Sequence, residues 1–339
     1  MSKITEREKE ILKILKNDPM IAQDDLARVL GISRSAAAVH ISNLIRKGYI
    51  LGRGYVFNDR SGVLVIGRIF VEIFAKTTSA GHSAAEIDIR PGGPAYNIAL
   101  HLAAQNISAL PVSVIGRDDY GEMIREKLNR KGLDTRLLLV QDRFPTPRRV
   151  TFADKGESVE ILDGRAADLL SPERLQSIEV TINNCRMVII DSGIPESAVS
   201  YICGLSAAAG VPVCFKFNGD VYERHYYQRI QIFDIVLMTK DTAEEFCECK
   251  IKNLDDGIQA ARQIAENGVA KAVIVLPELG VVMFGEEGSV SVPLQPGREK
   301  LDRRDVDIFT AGVVNGIINS YDYRQSMRLA LGAAGQQQV

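Results

Sequence analysis

The sequence predicts two domains of different classes: a small helical module at the N-terminus and a larger α/β domain with a mostly parallel sheet. Residues 1–57 contain three short helical patterns followed by a hairpin pattern, and residues 58–62 form a short polar linker. Across residues 63–339, apolar strand runs alternate with amphipathic helical stretches, a pattern typical of parallel sheets covered on both faces. The 339 residues are sufficient for both domains.

The composition is that of a globular protein rather than of a membrane protein or a disulfide-rich one. The chain is 46% hydrophobic and 25% charged, and it has no apolar run long enough to span a bilayer. Its charged N-terminus predicts that there is no signal peptide. Its five scattered cysteines are typical of free thiols, so we expect a cytoplasmic protein. Residues 1–60 hold 11 of the 41 basic residues and 7 of the 43 acidic ones, which favours phosphate contact at this end.

The first three predicted helices have recognisable start and turn signals. Thr5-Glu6-Arg7-Glu8 fits a capping box, in which a threonine cap is followed three residues later by a glutamate. Gly31 supplies a tight turn after the second helix, and Ser33 is placed to cap a third helix that runs to about Lys47. Two short helices joined by a turn that contains glycine are the layout of a helix-turn-helix.

The third helix is expected to have an apolar face for the core and an opposite face of small and polar side chains, together with Val39. Such a face leaves the helix free to enter a major groove. A hairpin with Gly52-Arg53-Gly54 at its tip follows and would form a basic wing. DNA binding is the interpretation that these features favour together, and a small packing or dimerisation module is the alternative. The predicted core residues are Ala37, Ile41, Leu44 and Ile45, and the predicted DNA-binding residues are Ser33, Ser35, Ser42, Asn43, Arg46 and Arg53.

The larger domain is predicted from continuous apolar runs, which indicate buried strands, and from amphipathic stretches, which indicate helices. Continuous rather than alternating apolar strands are typical of a parallel sheet with helices on both faces. The predicted strands are Val63–Ile66, Val112–Ile115, Met187–Ile190, Val211–Phe215, Ile235–Met238 and Ala272–Leu276, and the predicted helices are 95–106, 119–132, 254–268 and 308–320.

Three places in this domain carry possible chemistry. The pair Gly92-Gly93 precedes a helix start and lets the backbone approach a ligand, although such a pair alone is more often just a turn. Asp307 begins a late apolar helix, where an aspartate alone is more often a cap. Val65-Ile66-Gly67 ends the first strand, which in an open α/β sheet points at the ligand crevice.

Taken in this order, these places resemble the ribokinase-like (PfkB) carbohydrate kinase family over roughly residues 63–336. Gly92–Ala99 matches a Gly-Gly-x-x-x-Asn-x-Ala pattern, and Gly116–Gly121 is similar to the family's G-x-D-x-x-G stretch. Gly132–Thr135 is similar to its GvdT segment, and Asp307–Gly312 resembles the end of its DTxGAGDxFxAG signature. The whole chain resembles the branch in which a winged helix-turn-helix precedes the kinase domain.

The resemblance implies a ribokinase-like α/β fold with a small β lid, and transfer of the ATP γ-phosphoryl group to a hydroxymethyl group of a sugar or nucleoside. ATP and Mg²⁺ would be the cofactors of an active site of this kind, with Asp307 as the base. Glu244 is a weak candidate for the metal site. Relatives often dimerise through the lid, so a homodimer is expected. The substrate-binding residues that the resemblance implies are Glu72, Gly92, Gly93 and Asn97, and its nucleotide and phosphate region comprises Arg304, Asp305, Val306 and Gly280.

Departures from the family pattern fall on the positions that handle phosphate. Counting back from the predicted base, the three positions that the family fills with Gly-Ala-Gly hold Arg304, Asp305 and Val306. Arg304 and Val306 do not adopt the positive φ that glycine allows, and Asp305 is expected to place a carboxylate where phosphate oxygens should lie. Losing one such amide donor typically costs about 10²–10³ in rate. Phe70 and Lys216 also replace residue types that are common in the family.

We therefore expect a DNA-binding transcription regulator whose kinase-like domain senses a sugar or a nucleoside through an eroded phosphoryl-transfer site. Its partners would be a DNA operator, the ligand and a second copy of the chain. The alternative is an active ATP-dependent kinase of a sugar or a nucleoside, for example pseudouridine, with a regulatory helix-turn-helix. A third alternative is a structural module in which the larger domain only dimerises the DNA reader.

Overall fold

The computed structural model of the chain describes residues 5–18, 21–47, 49–52, 56–57, 62–77, 85–154, 157–219 and 221–335. The chain forms two compact units, residues 1–61 and residues 62–339, and each unit has a hydrophobic core of its own. In the described part of the chain, no helix combines the length and the apolar character that a membrane crossing needs.

The described residues of the first unit form three helices and a pair of antiparallel strands, the layout expected of a winged helix-turn-helix. Thr5 Oγ1 accepts a hydrogen bond from the amide of Glu8, and the Glu8 carboxylate accepts one from the amide of Thr5, so the predicted capping box is present. Gly31 closes the second helix at φ 63°, and Ser33 caps the third. The elements are α1 (Glu6–Asn17), α2 (Gln23–Leu30), α3 (Arg34–Arg46) and the antiparallel pair β1 (Ile50–Gly52) and β2 (Val56–Phe57).

The core of this unit contains three of the four α3 residues that the sequence predicts. Ala37, Ile41 and Leu44 are buried against α1 and α2, whereas Ile45 is 49% exposed, so its assignment to the core was wrong. The apolar stripe of α3 is narrow, and a residue one position after Leu44 is turned about 100° away from it.

The second unit is built on a nine-stranded sheet whose spatial order is β15-β14-β13-β12-β11-β10-β3-β6-β7. The strands from β13 to β7 in this order are parallel, and β14 is antiparallel to both of its neighbours, β13 and β15. These strands are β3 (Val63–Ile66), β6 (Ala109–Gly116), β7 (Leu138–Gln141), β10 (Met187–Asp191), β11 (Val213–Lys216), β12 (Ile235–Thr239), β13 (Lys271–Leu276), β14 (Gly280–Gly285) and β15 (Gly288–Pro293).

Helices cover both faces of this sheet. Leu64 and Ile66 belong to one core cluster, while Val63 and Val65 of the same strand belong to another, so β3 is buried on both sides. Continuous apolar runs are therefore read correctly as strands here. The helices are α4 (Pro94–Ala104), α5 (Asp119–Arg130), α6 (Glu179–Asn184), α7 (Glu196–Ala209), α8 (Lys240–Cys247), α9 (Leu254–Glu266), α10 (Arg303–Ile318) and α11 (Tyr323–Gly335), with 3₁₀ segments at Arg165–Leu169, Gln176–Ile178 and Val221–Ile232.

A second sheet of four strands, called the small sheet below, has the order β5-β4-β8-β9. Its two outer pairs are antiparallel, and the central pair β4–β8 is parallel. Alternation gives it two different faces. One carries charged residues such as Glu72, Arg149 and Glu160, and the other is apolar and exposed. The strands are β4 (Phe70–Thr77), β5 (Ala85–Gly92), β8 (Arg148–Asp154) and β9 (Glu157–Asp163), and the exposed apolar residues are Ile87, Ile89, Val150, Phe152, Val159 and Ile161.

The Gly116–Gly121 motif connects the end of β6, the start of α5 and the segment before β8 through hydrogen bonds. Asp118 caps α5 by accepting a hydrogen bond from the amide of Gly121, and it also accepts one from the amide of Thr146, just before β8. Burial opposes ionisation of this carboxyl, but the hydrogen bonds from Thr146 and Gly121 hold the pKa of Asp118 below its ordinary value. A Cβ atom on Gly121 would lie 2.2 Å from the carbonyl oxygen of Gly116, so the close approach needs glycine. The motif thereby positions β8 of the small sheet.

Candidate functional site

A cleft of about 840 Å³, counting its open side, lies at the carboxyl ends of the central parallel strands. It is lined by those strand ends, by the small sheet and by the start of α10. Open α/β sheets place their ligands at this edge. Of the residues predicted to form the substrate and phosphate sites, the cleft brings together Glu72, Gly93, Asn97, Arg304, Val306 and Asp307, while Gly92, Asp305 and Gly280 are not part of its lining.

Asp307, the predicted base, is buried with both carboxylate oxygens engaged. Lys216 Nζ lies 3.1 Å from its Oδ1, and Asn97 Nδ2 donates to its Oδ2 at 2.9 Å. Asn97 comes from α4, which packs against α10, and Lys216 is the last residue of β11. The carboxylate is therefore part of a buried ion pair. A general base needs an available lone pair to take a proton from a hydroxyl group, and a paired lysine opposes that role.

The start of α10 differs from the loop that the sequence comparison suggested. The helix begins at Arg303, because Asp302 is its cap and accepts a hydrogen bond from the amide of Asp305 at 2.8 Å. The Asp305 carboxylate in turn accepts from the amide of Asp302, and the amide of Val306 donates to the carbonyl oxygen of Asp302. This capping box uses amides that a transferred phosphoryl group would need.

Asp305 consequently does not direct its carboxylate into the cleft, contrary to the expectation from sequence. It is buried, bound to the helix start and ion-paired with Arg298. Arg304 and Val306 do line the cleft, and their backbone is helical, in keeping with the expectation that they avoid positive φ.

A second buried ion pair lies at the ends of β3 and β10. Arg68 Nε and Nη2 donate to the two oxygens of Asp191, at 3.0 and 3.2 Å. Burial opposes ionisation of Asp191, but the charges of Arg68 and Lys216 hold the pKa of this carboxyl below its ordinary value. A Cβ atom on Gly193 would lie 1.9 Å from Arg68 Nε, so this glycine makes room for the guanidinium group.

The small sheet contributes a group of charged side chains to the cleft. Arg149 Nε lies 3.3 Å from Glu160 Oε1, and its guanidinium group lies 4.3 Å from the centroid of the Phe70 ring. Burial lowers the pKa of Arg149. Glu160 is also paired with Arg303 of α10, while Glu72 is 3.1 Å from Arg90 Nε. Phe70, which stands where the family commonly has a polar residue, thus packs its ring against the guanidinium group of Arg149.

The glycine pair before α4 has structural reasons of its own. Gly93 has φ 102°, and a Cβ atom there would lie 2.7 Å from the carbonyl oxygen of Arg68. A Cβ atom on Gly92 would lie 2.6 Å from Cδ of Glu72. Gly93 therefore needs glycine, because its φ is positive and it lies against backbone, whereas Gly92 lies against the Glu72 side chain. Contact of either residue with a substrate stays a prediction.

Glu244, the predicted metal residue, and Gly280, predicted for the nucleotide side, are not part of the lining of the cleft. Glu244 accepts hydrogen bonds from Lys250 Nζ and the amide of Ile251, and the bond from Lys250 lowers the pKa of Glu244. Within the described ranges, no cluster of three His, Cys, Asp or Glu side chains could hold a metal ion. Gly280 begins β14 at φ 137°, and the preceding residues 277–279 line a second cleft of about 500 Å³.

The predicted DNA-binding face of α3 is largely exposed. Ser35, Ser42 and Arg46 are exposed, and Arg46 Nη2 donates to Asn43 Oδ1 at 2.8 Å. Ser33 Oγ accepts from the amide of Ala36 as the helix cap. Val39 lies on the same face and is 59% exposed. Arg53 falls outside the described residues.

Several residues of the cleft were not identified as site residues from sequence. Asp191 and Lys216 each directly follow a predicted buried strand, and the rule that strand ends face the crevice would have found them. Glu160 lies between Val159 and Ile161, the period-two signal of a strand with one polar face, whereas Arg149 follows another arginine and has a weaker signal of this kind. The sequence around Arg68 does not indicate its ion pair, because its partner Asp191 is distant in the sequence.

Comparison with known proteins agrees with this architecture. Residues 60–337 match the model of the pfkB family carbohydrate kinases, and residues 4–50 match a winged helix-turn-helix DNA-binding model. The chain is 28% identical to the uncharacterized sugar kinase YeiI of Escherichia coli (strain K12), over 97% of this chain and 92% of the relative. It is 22% identical to the pseudouridine kinase of the same organism, over 81% and 90%.

Among solved structures, the ribokinase of Arabidopsis thaliana complexed with ribose and ATP superposes with a TM-score of 0.72 at 19% identity, covering 81% of this chain and 91% of that one. This similarity shows the ribokinase-like fold. The chain belongs to the pfkB family of carbohydrate kinases and carries an N-terminal winged helix-turn-helix.

Proposed function

We propose that this pfkB family member is a DNA-binding transcription regulator of the cytoplasm, whose kinase-like unit binds a sugar or a nucleoside and turns it over poorly. The observation that carries the proposal is the buried ion pair between Lys216 and Asp307. The carboxylate that should accept a proton is neutralised by a lysine, so the cleft is suited to holding a ligand rather than to activating its hydroxyl group.

The residues present do not fit the ATP and Mg²⁺ of an active family member. The first turn of α10 satisfies its own amides through the carboxylate and carbonyl oxygens of Asp302, which leaves fewer donors for a transferred phosphoryl group. Glu244, the candidate metal ligand, is bound by Lys250 and lies 3.9 Å from Lys240 Nζ. A carboxylate between two lysines is a poor ligand for Mg²⁺.

DNA binding is supported by the exposed polar face of α3 and by the family model that matches this unit. The exposed apolar face of the small sheet supports a homodimer, since a contiguous apolar patch on a protein surface is typical of an interface. A two-fold dimer would present two recognition helices to a palindromic operator. Closure of the small sheet over the ligand would then be the switching movement.

An operator selected from random duplexes tests the first half of the proposal. We expect Arg46→Ala and Arg53→Ala to weaken binding and to reduce its salt dependence, because each removes a phosphate contact. Lys9→Ala is the matched control, since Lys9 is an exposed basic residue of α1 paired with Glu6. Fluorescence anisotropy over a series of salt concentrations that includes the physiological one measures the affinity and its salt dependence. Equal affinity for the selected operator and for random duplex would contradict DNA-binding regulation.

The second candidate is an active kinase of a sugar or a nucleoside. It is favoured by the similarity to pseudouridine kinase and by the presence of Asp307 and Asn97 at their motif positions. It predicts Mg²⁺-dependent ADP release with a panel of sugars and nucleosides, abolished by Asp307→Asn. No ADP release above background would exclude this candidate, whereas robust Asp307-dependent turnover would exclude the eroded site. A rise in melting temperature with any sugar or nucleoside would exclude the third alternative, in which the unit only dimerises the DNA reader.

A further inference from the structure

We propose that Val39 of α3 contacts the C5-methyl group of a thymine in the major groove, and that this contact selects a T·A base pair in the operator. The inference rests on the proposed function in that α3 enters the major groove of DNA. It adds the identity of one base pair that the helix recognises and the side chain that recognises it.

A ridge of four exposed side chains, called the reading ridge below, runs along α3. Its members follow one another at spacings of four, three and four residues, which places them within about 60° of one another around the helix. The buried residues Ala37, Ile41 and Leu44 lie on the opposite side of α3. The reading ridge is therefore the side of the helix that meets the bases when α3 lies in a groove. Its members are Ser35, Val39, Ser42 and Arg46.

Neither packing nor helix formation explains a valine in the middle of this ridge. Val39 is 59% exposed and does not belong to the core of the first unit. Valine also forms helices less readily than alanine, which fills the three preceding positions, residues 36–38. Single exposed apolar side chains are common on proteins, so the position of Val39 on the ridge, rather than its exposure, carries the inference. The short side chains of Ser35 and Ser42 on either side would let Val39 come close to the base edges.

The polar side chains on and beside the ridge discriminate poorly between bases. A serine hydroxyl donates and accepts hydrogen bonds, so it suits several bases. Asn43 would need both its amide oxygen and its amide nitrogen to recognise adenine, but its Oδ1 accepts a hydrogen bond from Arg46 Nη2 at 2.8 Å. The side chain of Val39 has no hydrogen-bonding group. Its apolar counterpart in the major groove is the methyl group that distinguishes thymine from the other three bases, so we infer thymine as its partner.

Removing single methyl groups from the DNA tests the inference on the full, unmodified chain. In the operator selected from random duplexes, each thymine is replaced in turn by deoxyuridine, which pairs with adenine in the same way but lacks the C5-methyl group. Fluorescence anisotropy measures the affinity for each duplex. We expect the replacement at one position of the operator to weaken binding by about fourfold, the factor that corresponds to one buried methyl group.

A cycle that combines the DNA change with Val39→Ala assigns the lost contact to this residue. Val39→Ala should weaken binding to the unmodified operator by about fourfold or more, and deoxyuridine at the sensitive position should then have no further effect. The salt dependence of binding should stay unchanged, because no charge is removed. Alanine is the better helix former, so the variant should keep its fold, which circular dichroism checks. Val29→Ala is the matched control, because Val29 is a valine of α2 that is 66% exposed and lies off the ridge.

The outcomes separate the inference from the proposed function. If the protein prefers its operator over random duplex but no deoxyuridine weakens binding, the inference is overturned and DNA-binding regulation stands. If one deoxyuridine weakens binding equally in the wild type and in Val39→Ala, another residue contacts that methyl group, and the inference is again overturned. If the sensitivity disappears in Val39→Ala and persists in Val29→Ala, the inference is supported. If no operator is preferred over random duplex, the proposed function fails and the inference fails with it.

Discussion

Replacing Lys216 by methionine tests whether the ion pair with Asp307 holds the cleft together. The two charged atoms are 3.1 Å apart, and the side chains are only 5% and 6% exposed. At an effective dielectric constant of about 20, this separation corresponds to an attraction of about 5 kcal/mol. In Lys216→Met the carboxylate keeps, among its partners in the described part of the chain, the hydrogen bond from Asn97. Breaking a buried pair by removing one partner typically costs about 3–5 kcal/mol of the free energy of unfolding.

A double-mutant cycle with Asp307→Asn separates this interaction from other effects of the substitutions. We expect the double variant to recover about 2 kcal/mol or more relative to the sum of the single variants, because neither charge is then left unpaired. Urea unfolding followed by circular dichroism at neutral pH measures the four free energies. The surface pair Lys271–Glu286, 3.5 Å apart with the glutamate 81% exposed, is the control and should couple by less than about 1 kcal/mol. Coupling no larger than that of the control would refute the reasoning.

Three further substitutions have expected outcomes. Asp118→Ala removes the α5 cap and the hydrogen bond to Thr146, and should lower the free energy of unfolding by about 2 kcal/mol at neutral pH. Since the pKa of Asp118 is lowered in the folded state, this contribution is lost as the pH falls through that pKa. Urea unfolding curves of the wild type and the variant that fail to converge in strong acid would contradict this explanation. Burial lowers the pKa of His101, so the folded state loses stability as the pH falls below about 6.5. His101→Gln should therefore make the melting temperature depend less on pH in this range. An unchanged slope would show that His101 does not cause the pH dependence. Gly280→Ala would place Cβ 2.2 Å from the Val292 carbonyl oxygen. It should lower the melting temperature more than Gly288→Ala, because Gly288 also has a positive φ but has open space around it. Equal melting temperatures of the two variants would show that the backbone shifts to relieve the close contact.

The sequence predicted the scaffold of the second unit well, because its strands are continuous apolar runs that need no tertiary information. Each of the six runs and four helical stretches corresponds to an element. The start of α10 was placed five residues too late, at 308 rather than at 303. Asp302 and Asp305 carry the spacing of a capping box, but these positions were compared with the family's loop instead of being read as a helix start.

The electrostatics of the cleft could not be predicted in the same way. The partners Arg68 and Asp191 are far apart in the sequence, and only the parallel pairing of β3 with β10 brings them together. The arginine and glutamate side chains of the small sheet face the cleft because of strand register, which local sequence does not specify. For Ile45 the error has another origin, since a residue at the edge of a helical stripe is buried only if a neighbouring element reaches it.

The parallel pairing inside the small sheet has a consequence for how the protein folds. Val71 of β4 pairs with Arg148 of β8, and the whole of β6, α5 and β7 lies between them in the chain. Such a distant pairing forms only after the intervening segments have folded, because closing a long loop loses conformational entropy before the contacts that compensate for this loss can form. During synthesis, the edge of β4 that later pairs with β8 would therefore stay unpaired, and the apolar side chains of β4 and β5 would be exposed. Such an intermediate is prone to aggregation. We expect the ligand cleft to be among the last parts of the protein to assemble.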